Sequence, residues 1–201
     1  MEKILLLNGS PRAPRSNSKR CAELFARSSP RPTEYAEIRR NNHAELIERI
    51  GQCSDLVLVF PLYADALPVT LLDFLKSLEE AAPEGRPTVS VLVNCGFWEY
   101  RQNEVAVRMV QLFCRRNGFP FGSVLMLGSG EAILDSPFRG LARRRIGQFA
   151  HSVAERRGEV LHATMPIGRR LFVWASTRYW IGYGRRFGVT EEQMRTLRIE
   201  E

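Results

Sequence analysis

The chain alternates between two hydrophobic periods. Short, mainly apolar runs recur at residues 3–8, 55–60, 88–94 and 122–127, with a weaker one at 34–38. Apolar runs of this length, without polar alternation, suit strands of a parallel sheet that is covered on both faces. Between them lie segments whose apolar residues fall three and four apart. Cys21, Ala22, Leu24 and Phe25 mark a helix over 17–27, and Ile47 and Ile50 another over 44–50. Leu71, Leu72, Leu75 and Leu78 mark a third, and Val105, Met109, Leu112 and Phe113 a fourth. Phe138, Leu141, Ala142, Ile146, Phe149, Ala150 and Val153 hold the same spacing over several turns. Each set gathers on one helix face. Pro68 precedes the third helix, where a missing N–H is harmless. Asn117-Gly118 is a left-handed stop for the fourth.

Strand–helix alternation repeated about five times predicts an α/β fold. The expected architecture is a parallel sheet with helices on both faces and right-handed crossovers. Ligands of such sheets sit beyond the carboxyl ends of the strands, where the strand order switches. The loops after the first, third and fourth strands are therefore the ones to read for chemistry.

The first loop runs Asn8-Gly9-Ser10-Pro11-Arg12-Ala13-Pro14-Arg15-Ser16-Asn17-Ser18. It leads from a buried strand into a helix N-terminus, whose open N–H groups and dipole suit a phosphate. Ser10, Ser16, Asn17 and Ser18 add polar donors, and Arg12 and Arg15 add charge. Neither a Gly-x-Gly-x-x-Gly fingerprint nor a Gly-x-x-x-x-Gly-Lys-Ser/Thr loop is present, so dinucleotide and P-loop sites are not indicated. The same residues also suit an ordinary Ser/Asn helix cap.

The other two loops are Pro61-Leu62-Tyr63-Ala64-Asp65-Ala66-Leu67-Pro68 and Asn94-Cys95-Gly96-Phe97-Trp98-Glu99. Leu62, Tyr63, Phe97 and Trp98 offer apolar and aromatic walls for a flat ring, and the backbone from Leu62 to Asp65 offers donors. Asp65 suits a helix cap as well as a ligand role. Gly96 permits close backbone approach.

At these residues the chain resembles the flavodoxin-like NAD(P)H-dependent FMN reductase and quinone reductase family. Gly9-Ser10-Pro11-Arg12 with Ser16-Asn17-Ser18 is similar to its FMN-phosphate loop. The Pro-Leu-Tyr-x-Asp-x-Leu-Pro and Asn-Cys-Gly-Phe-x-Glu stretches are similar to its ring-flanking segments. The resemblance covers about the first two thirds of the chain. It implies a five-stranded sheet of order 2-1-3-4-5 and FMN contacts from Ser10, Arg12, Ser16, Asn17, Ser18, Pro61, Leu62, Tyr63, Ala64, Asp65, Asn94, Cys95, Gly96 and Phe97. It also implies hydride transfer from NAD(P)H through FMN to a small acceptor such as a flavin or quinone. The flavin carries that chemistry, so no catalytic side chain is nominated. A flavodoxin-type electron carrier and a flavin-free binding module on the same fold are the alternatives.

Charge changes the picture only at the C-terminal end. The net charge of +7 falls wholly on residues 139–201. Residues 1–138 are neutral; flavodoxins that act as electron carriers are generally acidic, and the basic C-terminal third speaks against that role. Residues 168–188 combine arginines with Phe172, Tyr179, Trp180, Tyr183 and Phe187, and Thr190 opens a capping box over a short last helix. This makes residues 1–160 the expected FMN-binding domain and 161–201 a basic, aromatic-rich helical extension. That extension is expected to pack on the domain or on a homodimer partner; contact with a membrane surface is the lesser reading of it. No nucleic-acid module is recognisable. The four cysteines form no Cys-x-x-Cys pair and no metal-ligand spacing, so no metal is expected. With no signal-peptide layout, the expected location is cytoplasmic.

Overall fold

The computed structural model describes residues 3–196. Its strands are β1 (Ile4–Asn8), β2 (Thr33–Glu37), β3 (Asp55–Pro61), β4 (Thr88–Asn94), β5 (Phe121–Leu127) and β6 (Val160–Ala163). The helices are α1 (Asn17–Ser28), α2 (His43–Gly51), α3 (Val69–Ala81), α4 (Glu104–Asn117), α5 (Arg139–Ala154), α6 (Arg169–Arg186) and α7 (Glu191–Arg195). All strand pairs are parallel, in the order β2-β1-β3-β4-β5-β6. The order therefore reverses between β1 and β3.

The expected five-stranded sheet is corrected to six strands. The additional strand, β6, pairs with the free edge of β5, Leu125 opposite Leu161. It has four residues, and only Ala163 of them is buried. A short edge strand with an outward Val160 lacks the apolar run by which the other strands announce themselves.

The chain divides into two compact units, Met1–Met165 and Pro166–Glu201. β6 carries the sheet of the first unit past residue 160. In that unit β1 is buried along its whole length and β3 along all but Pro61. Leu5, Leu7, Leu56 and Leu58 pack with Leu46, Ile50, Phe74 and Val110 from α2, α3 and α4 on one sheet face. On the other lie α1 and α5, joined through an edge-to-face pair of Phe25 and Phe149 with centroids 5.6 Å apart. Each such buried side chain stabilises the fold by about 1.5–3 kcal/mol over leaving it in water.

At the amino end of β3, Asp55 is 1% exposed. It accepts hydrogen bonds from Arg31 at 2.7 Å, Ser54 at 2.8 Å and Arg156 at 3.3 Å. Burial pushes its carboxyl up, but the Arg156, Ser54 and Arg31 hydrogen bonds outweigh this and hold it below the usual range. This cluster joins the start of β3 to the segments after α1 and α5, at the end of the sheet away from the carboxyl-end loops.

In the second unit α6 runs through Gly182 and Gly184 without a break. A Cβ on Gly184 would lie 2.6 Å from Met194 Sδ, so the glycine lets α7 approach α6. The capping box at Thr190 is formed: its hydroxyl accepts from Gln193 N at 3.2 Å, and Gln193 Oε1 accepts from Thr190 N at 2.8 Å. Among the described residues no helix is long and apolar enough to cross a membrane, and no cluster of His, Cys, Asp or Glu could hold a metal ion.

Candidate cofactor site

A cleft of about 790 Å³ opens beyond the carboxyl ends of β1, β3 and β4. Ser10, Arg12, Ser16, Asn17, Ser18, Pro61, Leu62, Tyr63, Ala64, Asn94, Cys95, Gly96 and Phe97 all line it. Of the FMN contacts expected from the resemblance, all but Asp65 line it; Trp98, expected as an aromatic wall, does not.

The first loop is organised by Asn8, the last residue of β1, which is fully buried. Its Oδ1 accepts from Ser10 N at 2.9 Å, which turns the chain out of the strand. Its Nδ2 donates to Ser16 Oγ at 3.2 Å and to Tyr35 Oη at 2.9 Å. Burial pushes the Tyr35 phenol up to about 12, so it stays a neutral hydroxyl. Two successive turns follow, with Ala13 N on Ser10 O and Arg15 N on Arg12 O.

Ser16 is the N-cap of α1 and accepts from Lys19 N at 3.1 Å. The cap and the cleft are therefore compatible roles of one segment. With Lys19 N capped, the N–H groups of Ser16, Asn17 and Ser18 have no protein acceptor among the described residues. Three consecutive open N–H groups at a helix start form an anion-binding concavity. Arg12, Arg15, Lys19 and Arg20 also line this end. Arg20 is held by Asp135, at 2.6 and 2.9 Å, and by Asn17 Oδ1 at 3.0 Å. The Arg20 hydrogen bonds keep the Asp135 carboxyl below the usual range.

The second loop closes as a tight turn, with Tyr63 N on Ala66 O at 3.1 Å and Ala66 N on Tyr63 O at 2.9 Å. Ala64 and Asp65 at its tip both take left-handed backbone, φ 45° and 57°, as a type I′ turn requires. Leu62 N is bonded to Asn94 O at 2.8 Å. The open donors of this loop are thus Ala64 and Asp65 N–H, not the Leu62–Asp65 stretch as a whole. Asp65 does not cap α3, which starts from Pro68 without a side-chain cap.

The third loop is braced from behind. Cys95 N donates to Leu127 O, and Gly130 N donates to Cys95 O. A Cβ on Gly128 would lie 2.4 Å from Thr164 Oγ1 and 2.6 Å from Trp98 O, so only glycine lets the 128–131 loop sit this close. Cys95 is 3% exposed, and Asn103 Nδ2 donates to its sulfur at 3.4 Å. Burial pushes its thiol up to about 11, with Asp65 and Glu131 adding to the rise. It is a packed thiol at the edge of the cleft rather than a nucleophile. Tyr63 and Phe97 remain 40% and 54% exposed and flank the opening.

Sequence reading did not single out Asn8, Lys19, Arg20 or Glu131 as site residues. The last lies in a loop after β5, outside the three inspected. The Gly-Ser-Gly at 128–130, a close-approach signal after a strand, marks that loop.

The set of donors fits FMN. Three open N–H groups, serine hydroxyls and cations suit a phosphate monoester at one end. An apolar and aromatic mouth with the open N–H groups of the Ala64–Asp65 turn suits the isoalloxazine at the other.

By sequence the chain matches no protein-family model and no curated protein. Its fold does match solved structures. Against an FMN-dependent NADH-azoreductase from Bacillus anthracis in complex with FMN, the TM-score is 0.60 at 13% identity, over 76% of this chain and 100% of that one. An NAD(P)H:quinone oxidoreductase from Methanothermobacter marburgensis gives 0.58 at 18% identity, over 74% and 94%. Rubredoxin oxygen:oxidoreductase from Desulfovibrio gigas gives 0.58 at 10% identity over 77% of this chain. The matched part spans 36% of that larger protein. The chain thus has the flavodoxin-like fold of these proteins.

Proposed function

We propose that the cleft holds FMN and that the protein is an FMN-dependent NAD(P)H oxidoreductase acting on a small acceptor. The observation that carries this reading is the concavity of open Ser16, Asn17 and Ser18 N–H groups, placed in one cleft with the Tyr63 and Phe97 rings. FMN bound there would supply hydride acceptance from NAD(P)H and hydride donation to the acceptor. The roles of the chain follow from its geometry. The α1 start, with Arg12, Arg15 and Lys19, binds and neutralises the phosphate. Asn8 fixes the loop that presents it. The Ala64–Asp65 turn offers N–H groups to the polar edge of the ring. Tyr63 and Phe97 wall the ring and leave room for a second flat molecule. The fold shared with an FMN-dependent azoreductase and a quinone oxidoreductase supports the reading.

The test is binding of FMN against riboflavin, followed by flavin fluorescence quenching. FMN is expected to bind at least tenfold more tightly, because only FMN carries the phosphate. Equal affinities would contradict the phosphate assignment. A homodimer formed through residues 166–201 accompanies this proposal. The rings of Tyr179, Trp180, Tyr183 and Phe187 form a ladder along α6, and no residue of α6 is buried by its own unit. Light scattering should then give twice the 23.0 kDa chain mass; a monomer at high concentration would contradict it.

A further inference from the structure

The cleft is electrically asymmetric. Its phosphate end is lined by Arg12, Arg15, Lys19 and Arg20, with Glu23 alone of opposite sign. Its ring end carries carboxylates. Glu131 lines the cleft there. Its Oε2 lies 3.4 Å from the place a Cβ on Gly96 would occupy, so the carboxylate lies over the Gly96 backbone beside Phe97. Asp65 does not itself line the cleft; it is exposed at the tip of the turn, next to the lining residues Tyr63 and Ala64. Both carboxylates act on one buried thiol, Cys95, and push its pKa up together. Both residues are exposed, and neither has an ion-pair partner among the described residues. The two exposed rings of the mouth, Tyr63 and Phe97, add faces that attract a flat cation.

Resting on the FMN reading above, we infer that Asp65 and Glu131 select the acceptor, favouring flat aromatic cations over acceptors that carry sulfonates or carboxylates. Like charges set against each other at a binding surface exclude the wrong partner, and opposite charges raise encounter and affinity. NAD(P)H is not excluded by this field. Its reduced nicotinamide is uncharged, and its phosphates lie away from the ring. The overall reaction balances. NADPH gives up a hydride and leaves as NADP⁺. A phenothiazinium cation such as methylene blue takes up the hydride and becomes the neutral leuco dye. No proton or further reductant is required.

The experiment compares methylene blue with the anionic dye indigo tetrasulfonate, using full-length protein loaded with FMN and desalted. Three quantities are read: retained flavin, the dissociation constant of each oxidised dye without NADPH, and kcat/KM for each dye with NADPH. The wild type is compared with Glu131→Gln and with the double variant Asp65→Asn/Glu131→Gln, each normalised to its flavin content. The expected result is a cation-to-anion ratio, in both binding and kcat/KM, that falls about tenfold in the double variant. The same ratio in the wild type should fall as ionic strength rises through the range where exposed charges are screened. Retained, NADPH-bleachable flavin with an unchanged ratio would overturn the selectivity and leave the oxidoreductase reading standing. Protein that retains no flavin, or whose flavin neither NADPH nor NADH bleaches, would overturn both.

Discussion

Asn94, at the end of β4, donates its side-chain amide to the hydroxyl of Ser18 in the first turn of α1, 3.2 Å away. The same Nδ2 donates to Phe60 O at 3.2 Å. One buried amide therefore ties the phosphate end of the cleft to the loops at its ring end. Removing it should loosen both ends together. Asn94→Ala is expected to raise the FMN dissociation constant about tenfold or more, and to cost about 1–3 kcal/mol of stability from the hydrogen-bond partners left unpaired. Fluorescence titration and urea unfolding read the two effects. An unchanged FMN affinity would show that the tie does not position the cofactor.

Ser16→Ala removes the cap of α1 and one partner of Asn8. The loss expected is about 1 kcal/mol in unfolding free energy. FMN binding should weaken while riboflavin binding does not, because the effect is confined to the phosphate end. Parallel titrations with the two flavins check this.

The fold was legible because β1, β3, β4 and β5 are buried on both faces and so read as apolar runs. The site loops followed from the rule that ligands sit at the carboxyl ends near a switch in strand order, here between β1 and β3. What was not legible depends on tertiary pairing. β6 is an edge strand that exists because β5 offers it a ladder. Asn8 looked like the last residue of a strand, and its role appears only once Ser16 and Tyr35 are brought beside it. The Asp65 cap failed because the turn takes both Ala64 and Asp65 into left-handed backbone and leaves α3 to begin at Pro68.

Gly128→Ala tests the brace behind the third loop. The added methyl meets Thr164, Trp98 and Tyr100 atoms at 2.4–2.7 Å, two of them backbone, so the loop must move. A loss of about 2 kcal/mol or more in stability is expected, as for overpacking of a close approach. Weaker flavin binding should accompany it. A variant with wild-type denaturation and flavin affinity would contradict the brace.

Asp55 sets a pH dependence. Its carboxyl is held below its unfolded value, so the stabilisation is full above the ordinary carboxylate pKa of about 4 and is lost as pH falls through the lower folded value. Asp55→Ala leaves Arg31 and Arg156 facing an empty site and should cost about 3–5 kcal/mol at neutral pH. Urea midpoints at neutral and acid pH check both points. The wild type should lose stability on acidification by more than the variant does. Parallel curves would contradict the assignment.

One spectrum reads whether the cleft holds FMN that a nicotinamide reduces. The protein is loaded with FMN, desalted, and mixed with NADPH, then separately with NADH, in the absence of oxygen. Flavin bands that survive desalting and bleach rapidly with either nicotinamide are the predicted result. Retained bands that neither nicotinamide bleaches would contradict the oxidoreductase function, and the absence of retained flavin would contradict the cofactor site itself.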